Sequence, residues 1–541
     1  MRRWKMVPRG SRPARRDWDC SDDTVHRYRS GVTEQLDPRL PVIVGVGQIT
    51  IRPDRGEQSL EPVALMSEAL RRAEQDSGGS GLLAAADAVR TVSQLSWRYQ
   101  NAATLVAEAI GARPRELATS VMGGNLAGVM VARAAAQIQA GEAEVIVLCG
   151  GEATRTMSMM RAAGERPDWT TQSEDTPPPT MIGDERPLAS EVEAARGVVM
   201  PVHIYPLFEN ALRARLGLSI DEQQQRLGVL WSAFAEVARN NPEAWIRSGF
   251  TPDQIAQVAD DNRMISFPYT KRLCSNNQVD QGSGLIITSV AAAQSAGVPR
   301  DRWVFLHSGA EAVDHWNVSN RADLCSSPAL RLAGRDAFAL AGITPTDIDH
   351  ADLYSCFPAA VQIGAIELGL VDDPNTNGSG WGGIGARLPL TVTGGMSFAG
   401  GPWNDYTSHG IATMVGVLRA DAGSIGVCTA NGGYTTEHAV IVLSTAAPAS
   451  GSYGYSEPQA EVDALPQVEL DDEWVGEVTI ESATVVHERS GPTHALVAAR
   501  TPAGDRTWCH SSDLEFMDAV ATVELVGHRA RRGEDGEITL A

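Results

Sequence analysis

Lysine is almost missing from this chain, which holds only Lys5 and Lys271 among 541 residues. Arginine carries the positive charge instead, beside abundant alanine, a balance expected of a GC-rich coding sequence. Positive charge is itself in deficit, with 45 Lys and Arg against 67 Asp and Glu, a net charge of −22 and a pI near 4.9. Such a surface disfavours non-specific adhesion to nucleic acid or to an anionic membrane. No apolar run reaches the roughly 20 residues that span a bilayer, so no nucleic acid and no membrane insertion are expected. Cysteine is sparse: seven residues, without a CxxC pair or dense spacing. That argues against a metal site or a disulfide framework. An odd cysteine count in a large acidic chain fits a reducing cytoplasm, the expected location. Within the chain, no cysteine lies between Cys20 and Cys149.

What is present reads as a large globular protein. Hydrophobic content of 43% and charged content of 21% are ordinary, and the length exceeds one simple domain. Residues 1–40 are Arg-rich to Arg16, polar and aperiodic, with no signal-peptide apolar region; they read as a disordered or tag-like segment. From residue 41 the pattern alternates. Pro41–Gly47 is an apolar strand, Glu61–Ala73 a helix with one apolar face, Thr91–Leu95 a strand and Ala103–Ile110 a helix closed by Gly111. An Ala-rich helical run ending at Gly141 and the strand Glu144–Cys149 follow. The order recurs from Trp303, with helices from Ser327 and Pro358 and a strand at Ala351–Tyr354. The helix Gly410–Leu418 and strands at Ser424–Ala430 and Ala439–Leu443 complete it. Alternating β and α units imply a largely parallel sheet covered by helices.

The organisation that follows has a first half at 41–300, a second half at 301–446, a linker at 447–475 and a small β domain at 476–541. The first half carries an insertion at 153–275, with a Pro-rich loop at Thr176–Pro179 and a helix opened by the capping-box pair Ser219 and Glu222. Insertions of that size are commonly lids or binding elements. Beyond residue 476 the strands Val478–Ile480, His494–Arg500, Arg506–Cys509 and Thr522–Val526 suggest a five-strand, oligonucleotide-binding-fold-like barrel.

Motifs in both halves resemble one family. Val121-Met122-Gly123-Gly124-Asn125-Leu126-Ala127-Gly128, then the helix, the apolar strand and Gly150-Gly151-Glu152, look like the nucleophile segment of a thiolase. In the second half, Ala351-Asp352-Leu353-Tyr354-Ser355-Cys356-Phe357 is similar to the His-Asp-Cys-Phe segment of sterol-carrier-protein-type thiolases. Gly394–Pro402 resembles their Gly-His-Pro loop, and Cys428 with Gly432-Gly433 resembles their Cys-x-Gly-Gly-Gly loop. Asn240-Asn241-Pro242 and Leu273-Cys274 before Val279-Asp280-Gln281-Gly282 echo the same branch. The resemblance covers roughly residues 41–445. It implies a duplicated α/β fold, two βαβαβ-type halves layered α/β/α/β/α, with the insertion as a lid. The implied substrate is a coenzyme A thioester, with no tightly bound cofactor, and the implied activity by descent is acetyl-CoA acetyltransferase-like acyl transfer. A homodimer is implied, or a monomer whose C-terminal domain covers the dimer face.

The departures from the family bear on chemistry. The nucleophilic cysteine position falls near Gly124, the first histidine is Tyr354, and the histidine of Gly-His-Pro is Gly401. Ala360 and Val361 replace the Asn-Glu pair, and Ala430 stands at the second catalytic cysteine. Acyl transfer through an enzyme-bound intermediate needs a nucleophile and a base, so ordinary thiolase turnover is not expected. The candidate catalytic residues are Tyr354, Cys356, Cys428, His409 and Asn431. Cys356 lies near a helix N-terminus that favours thiolate, and Cys428 sits two residues from Ala430 and so on the same strand face. Gly124, Asn125, Gly395, Gly401, Gly432 and Gly433 are the candidate substrate-binding positions; Arg196 and Arg272 are candidates for coenzyme A on charge alone. Two other readings stay open. Sterol-side-chain aldolases of this superfamily use tyrosines in place of cysteine, so Tyr354 would serve a retro-aldol lyase acting on β-hydroxyacyl-CoA. The third reading is a non-catalytic acyl-CoA binder.

Overall fold

A computed structural model describes residues 36–540; most of the tag-like segment read from the sequence lies outside them. Its last residues do belong to the body, since Leu40 is buried and its carbonyl accepts a hydrogen bond from the Val290 amide.

The first half runs through β1 (Pro41–Ile51), β2 (Ala88–Thr91), β3 (Glu116–Ser120) and β4 (Val145–Ala153), with helices Pro62–Ser77, Ala102–Ile110 and Leu126–Ala140 between them. The insertion contributes β5 (Thr180–Ile182), β6 (Met264–Ser266) and β7 (Tyr269–Thr270), together with the long helices Pro201–Arg215 and Ile220–Asn240. Then β8 (Asp280–Ser289) returns to the body. The second half holds β9 (Val304–Val313), β10 (His350–Asp352), β11 (Ile425–Gly432) and β12 (Glu437–Ser444), with helices Pro328–Ala341, Pro358–Glu367 and Tyr406–Ala420. One sheet is ordered β10-β11-β12-β9-β1-β8-β4-β2-β3-β5. It is mixed and not largely parallel as the alternation of strand and helix suggested, because β1, β8, β9 and β12 in its middle pair antiparallel with their neighbours along that order. Its halves join through a contact of two residue pairs, Val42 with Phe305 and Ile43 with Val304.

Helix composition explains the layering. Leu126–Ala140 is apolar and small on most of its surface, with ten of its residues from Leu126 to Ile138 buried. Such a helix suits the middle of a protein, and it packs on β1, β8 and β4 of one half and on β9, β11 and β12 of the other. Tyr406–Ala420 lies beside it. Pro62–Ser77 is one-faced, entered by proline and closed by the left-handed Gly78; it covers the outside of β1, β8 and β4. Pro328–Ala341 does the same for β9 and β12. The result is the duplicated α/β/α/β/α arrangement.

The segment 447–475 is a wrapped connection: β13 (Gly454–Ser456) pairs in parallel with β9, and Leu470 bridges Arg506. Beyond it lie β14 (Gly476–Glu488), β15 (Gly491–Arg500), β16 (Arg506–Ser511), β17 (Arg529–Arg532) and β18 (Ile538–Leu540). They form an antiparallel sheet of seven strands, because β6 and β7 of the insertion join it at β14. The strand expected at Thr522–Val526 is absent. Leu514–Thr522 is a helix instead, capped by Asp513, with Phe516, Met517 and Val520 at helical spacing against the sheet.

Candidate active site

The head of the central helix, the end of β10 and the end of β11 converge on one cavity of about 310 Å³. Its walls include Gly123 and Gly124, Tyr354, Cys356 and Phe357, and Asn431 to Gly433; Met396 and Trp403 close one side. The insertion supplies Met200, Pro201, Val202 and Tyr205 as a roof, as its lid-like position suggested.

Gly124 decides what the helix head can hold. A Cβ placed there would overlap the Tyr354 hydroxyl, stand 2.9 Å from Tyr354 Cζ and lie 2.5 Å from the Asn431 carbonyl oxygen. The phenol therefore stands where a side chain at position 124 would be. Tyr354 is held by a backbone hydrogen bond from its N–H to Thr429 Oγ1 at 2.9 Å and by edge-on packing on Tyr406. Burial pushes its pKa up, with Cys356 adding to the effect. At neutral pH the group is a phenol, a hydrogen-bond donor.

Cys356 also reaches the cavity, but burial pushes its thiol up to about 12 against the opposing hydrogen bonds from Tyr205 and Asn431. Burial outweighs the helix it precedes, Pro358–Glu367, and favours the neutral thiol over the thiolate expected at this turn. Asn431 lines the cavity, its Nδ2 donating to Tyr205 Oη at 3.1 Å while its Oδ1 has no protein partner. Tyr205 is a hub. Its hydroxyl donates to the Gly433 carbonyl at 3.3 Å and accepts from the Thr435 N–H at 3.0 Å, and its ring stacks on Phe357 at 4.5 Å. Two backbone outliers flank the same space, Trp403 at φ 49° and Thr435 at φ 57°. Strained non-glycine residues of this kind persist where surrounding contacts over-determine them.

Several candidates lie elsewhere. Cys428 does not point into the cavity. It belongs to the apolar layer with Met414, Leu418 and Ile441, because β11 turns Thr429 and Asn431 toward the site and Cys428 and Ala430 toward the central helices. His409 is buried beneath the site, its Nδ1 2.8 Å from Gln48 Oε1 and its Nε2 3.5 Å from Asp405 Oδ2. Gly395 and Gly401 pack against Phe234 and Ser355, and against Ser275 and Asn277, behind the wall. Arg196 is paired with Asp472, and Arg272 with Asp261, so neither faces the cavity.

Asn125 lines a second, polar chamber of about 610 Å³ instead. Four residues are common to both walls: Asp184, Arg186, Trp316 and Glu437. Arg186 lies over the Trp316 ring at 5.2 Å, and Trp316 Nε1 donates to the Pro187 carbonyl at 2.7 Å. Glu437, the first residue of β12, escaped the sequence reading; burial pushes its carboxyl up to about 7. The signal was a lone acid opening an otherwise apolar strand after Gly432-Gly433. Among the described residues no group of three metal-ligating side chains forms, and no helix is long and apolar enough to cross a membrane.

Residues 310–445 match the family model described as thiolase C-terminal domain-like, and residues 457–537 match thiolase-like protein type 1 additional C-terminal domain. A monomeric SCP2-thiolase-like protein type 1 from Mycobacterium smegmatis is 29% identical over 94% of this chain and 100% of its own, with a TM-score of 0.76. An Ltp2-ChsH2(DUF35) aldolase structure, 21% identical over 75% of this chain and 98% of its own at a TM-score of 0.55, shares the fold. Among curated relatives, an acetyl-CoA acetyltransferase from Methanothermobacter thermautotrophicus is 25% identical over 43% of this chain and 58% of its own length. A 17-hydroxy-3-oxo-4-pregnene-20-carboxyl-CoA lyase from Mycobacterium tuberculosis is 26% identical over 46% of this chain and 61% of its own. The chain thus spans about three fifths of the curated relatives it matches. By its layered body, its motifs and its extra C-terminal sheet, the chain is similar to the thiolase-like proteins of the sterol-carrier-protein-type branch, with a thiolase C-terminal domain-like second half and a thiolase-like protein type 1 additional C-terminal domain.

Proposed function

We propose that this protein binds an acyl-CoA thioester in the 310 Å³ cavity and cleaves the bond between its α and β carbons by a retro-aldol reaction, without an acyl-enzyme. The observation that carries this reading is the Tyr354 phenol in the space a nucleophile at Gly124 would fill. Acyl-transfer ancestry remains, while its covalent route has neither a side chain at the helix head nor a thiolate nearby. A retro-aldol step needs no such group. The β-hydroxyl loses its proton, the Cα–Cβ bond breaks, and its electron pair passes to the thioester as an enolate. The β-carbon leaves as a ketone or aldehyde, and the enolate is protonated at Cα. Tyr354, kept neutral by burial, donates to the developing enolate oxygen, where a placed donor is most valuable. The lyase named among the relatives supports the same class of chemistry over the part it matches.

Coenzyme A is substrate in this reading, and no resident cofactor is required. A monomer or a homodimer is compatible with this reading; β5 pairs with β3 and forms that edge of the large sheet. The free cysteines among the described residues suit a reducing cytoplasm.

The test is a β-hydroxyacyl-CoA cleavage assay with product acyl-CoA read by mass spectrometry. Wild type should release acyl-CoA and a carbonyl product, and Tyr354→Phe should lower kcat by about 10²-fold, the usual cost of one oxyanion donor. Acetyl-CoA made from acetoacetyl-CoA and free CoA would overturn the proposal. Binding of acyl-CoA in calorimetry without turnover would leave a binder in its place.

A further inference from the structure

The cavity wall holds seven ionisable side chains: Asp184, Arg186, Tyr205, Cys274, Tyr354, Cys356 and Glu437. Burial keeps the two tyrosines neutral and pushes both thiols up to about 12. Asp184 pairs with Arg186 at 3.3 Å on the exposed loop between the chambers. That leaves Glu437, half-buried, as the wall group whose two protonation states are both within reach of neutral pH.

Its position is as informative as its acidity. A Cβ on Gly432 would lie 2.6 Å from Glu437 Oε2, and the Asn431 carbonyl oxygen lies 2.5 Å from the Cβ position of Gly124 that the Tyr354 phenol overlaps. Carboxylate and phenol therefore flank the same short end of β11, one beside Asn431 and the other beside Gly432. On the far side Glu437 faces the polar chamber, where Asn125 Nδ2 approaches Oε1 at 3.5 Å. Asn125 itself is buried, and its Oδ1 has no protein partner. A carboxylate on a wall common to a substrate cavity and a polar chamber can pass protons from one to the other.

Building on the retro-aldol reading, we propose that Glu437 is the catalytic acid–base residue and that the polar chamber connects it to solvent. Its carboxylate takes the proton from the β-hydroxyl as the Cα–Cβ bond breaks. The resulting carboxylic acid then protonates Cα of the enolate, so the group ends the cycle ionised and no net proton is consumed. Exchange through the chamber lets solvent hydrogen enter before that second transfer.

Charges around Glu437 set the pH dependence. Burial favours the protonated form, as do Asp184 on the insertion loop and Glu311 on β9. Arg186 and the Asn125 amide favour the carboxylate, while Arg133 on the central helix is engaged by Glu311. Activity should therefore rise with pH through about 7 as the base form appears.

The experiment compares wild type, Glu437→Gln and Glu437→Asp in cleavage of a β-hydroxyacyl-CoA, in water and in D2O, with CoA binding measured by calorimetry. Wild type should place one deuterium at Cα of the product. Glu437→Gln should lower kcat by at least about 10²-fold with KM little changed and the limb near pH 7 gone, and Glu437→Asp should recover part of the rate. CoA affinity should be equal in all three, which also reports that the variants are folded. Glu437→Gln turning over at the wild-type rate would overturn the assignment and leave the lyase reading standing. A wild type that binds CoA but cleaves nothing would overturn both.

Discussion

A nucleophile cannot be restored at Gly124 by a single change. The new Cβ meets the Tyr354 ring and the Asn431 carbonyl, and the carbonyl belongs to β11, which is held in antiparallel register with β12. Overpacking of this kind costs about 1–3 kcal/mol. Gly124→Cys should therefore lower the melting temperature and still give no acetyl-CoA from acetoacetyl-CoA and CoA; calorimetric melting and the thiolysis assay check both. The glycine and the tyrosine were each legible in the sequence as departures from a motif. Their mutual exclusion was not, because it depends on a contact between segments some 230 residues apart. Cys428 misled for a related reason. Strand periodicity gave it the face of Ala430 correctly, but that face looks into the central helices.

Between helices, a buried polar network ties the lid to the helix that follows the site. Glu209 on Pro201–Arg215 accepts from Tyr269 Oη at 2.6 Å, from Gln362 Nε2 at 2.8 Å and from Gln223. Tyr269 in turn accepts from the Ala359 N–H at 3.1 Å, just beyond Phe357. Burial pushes Glu209 up to about 7 despite these donors. The folded protein thus keeps a proton that the unfolded chain releases near pH 4.5, so stability falls as pH rises between those values. Glu209→Gln should remove one proton from that linkage. The slope of unfolding free energy against pH between 5 and 7 should drop by up to about 1.4 kcal/mol per pH unit in urea titrations. Helix positions here were readable from caps and apolar stripes, Ser219 with Glu222 being the clearest. The network was not, since glutamate and glutamine in amphipathic helices usually face water.

At the scale of the whole molecule, alternation of strand and helix sufficed for the two-half body, while the C-terminal region was harder to read. The strand read at Thr522–Val526 is absent, and the helix Leu514–Thr522 just before it is hard to read because its helical spacing covers barely two turns. The added domain is bolted to the body near the site. Arg506, fully buried, is paired with Glu481 and donates to the carbonyls of Val318, Ser319 and Arg321. Arg321 then holds the Tyr434 carbonyl and Thr436 Oγ1, in the turn before Glu437. Burial raises the Glu481 carboxyl, and Arg506 with Arg500 outweighs it, leaving the group below its usual value. Arg506→Met would leave Glu481 with Arg500 as its remaining partner and take the donor from the carbonyls of Val318, Ser319 and Arg321. The cost is about 1–3 kcal/mol for each buried group left unsatisfied, and the change should loosen the Tyr434–Thr436 turn. Denaturant unfolding and amide exchange at that turn are the measurements.

The sheet shared by insertion and C-terminus also sets an order of events during synthesis. Ser266 pairs with Val486, so β6 and β7 leave the ribosome roughly two hundred residues before the strand that receives them. At usual elongation rates of about 5–20 residues per second, that is a wait of some 10–40 s. Throughout it the lid lacks its receiving strand, and nascent chains are open there to proteases and to chaperones that grip unpaired strands.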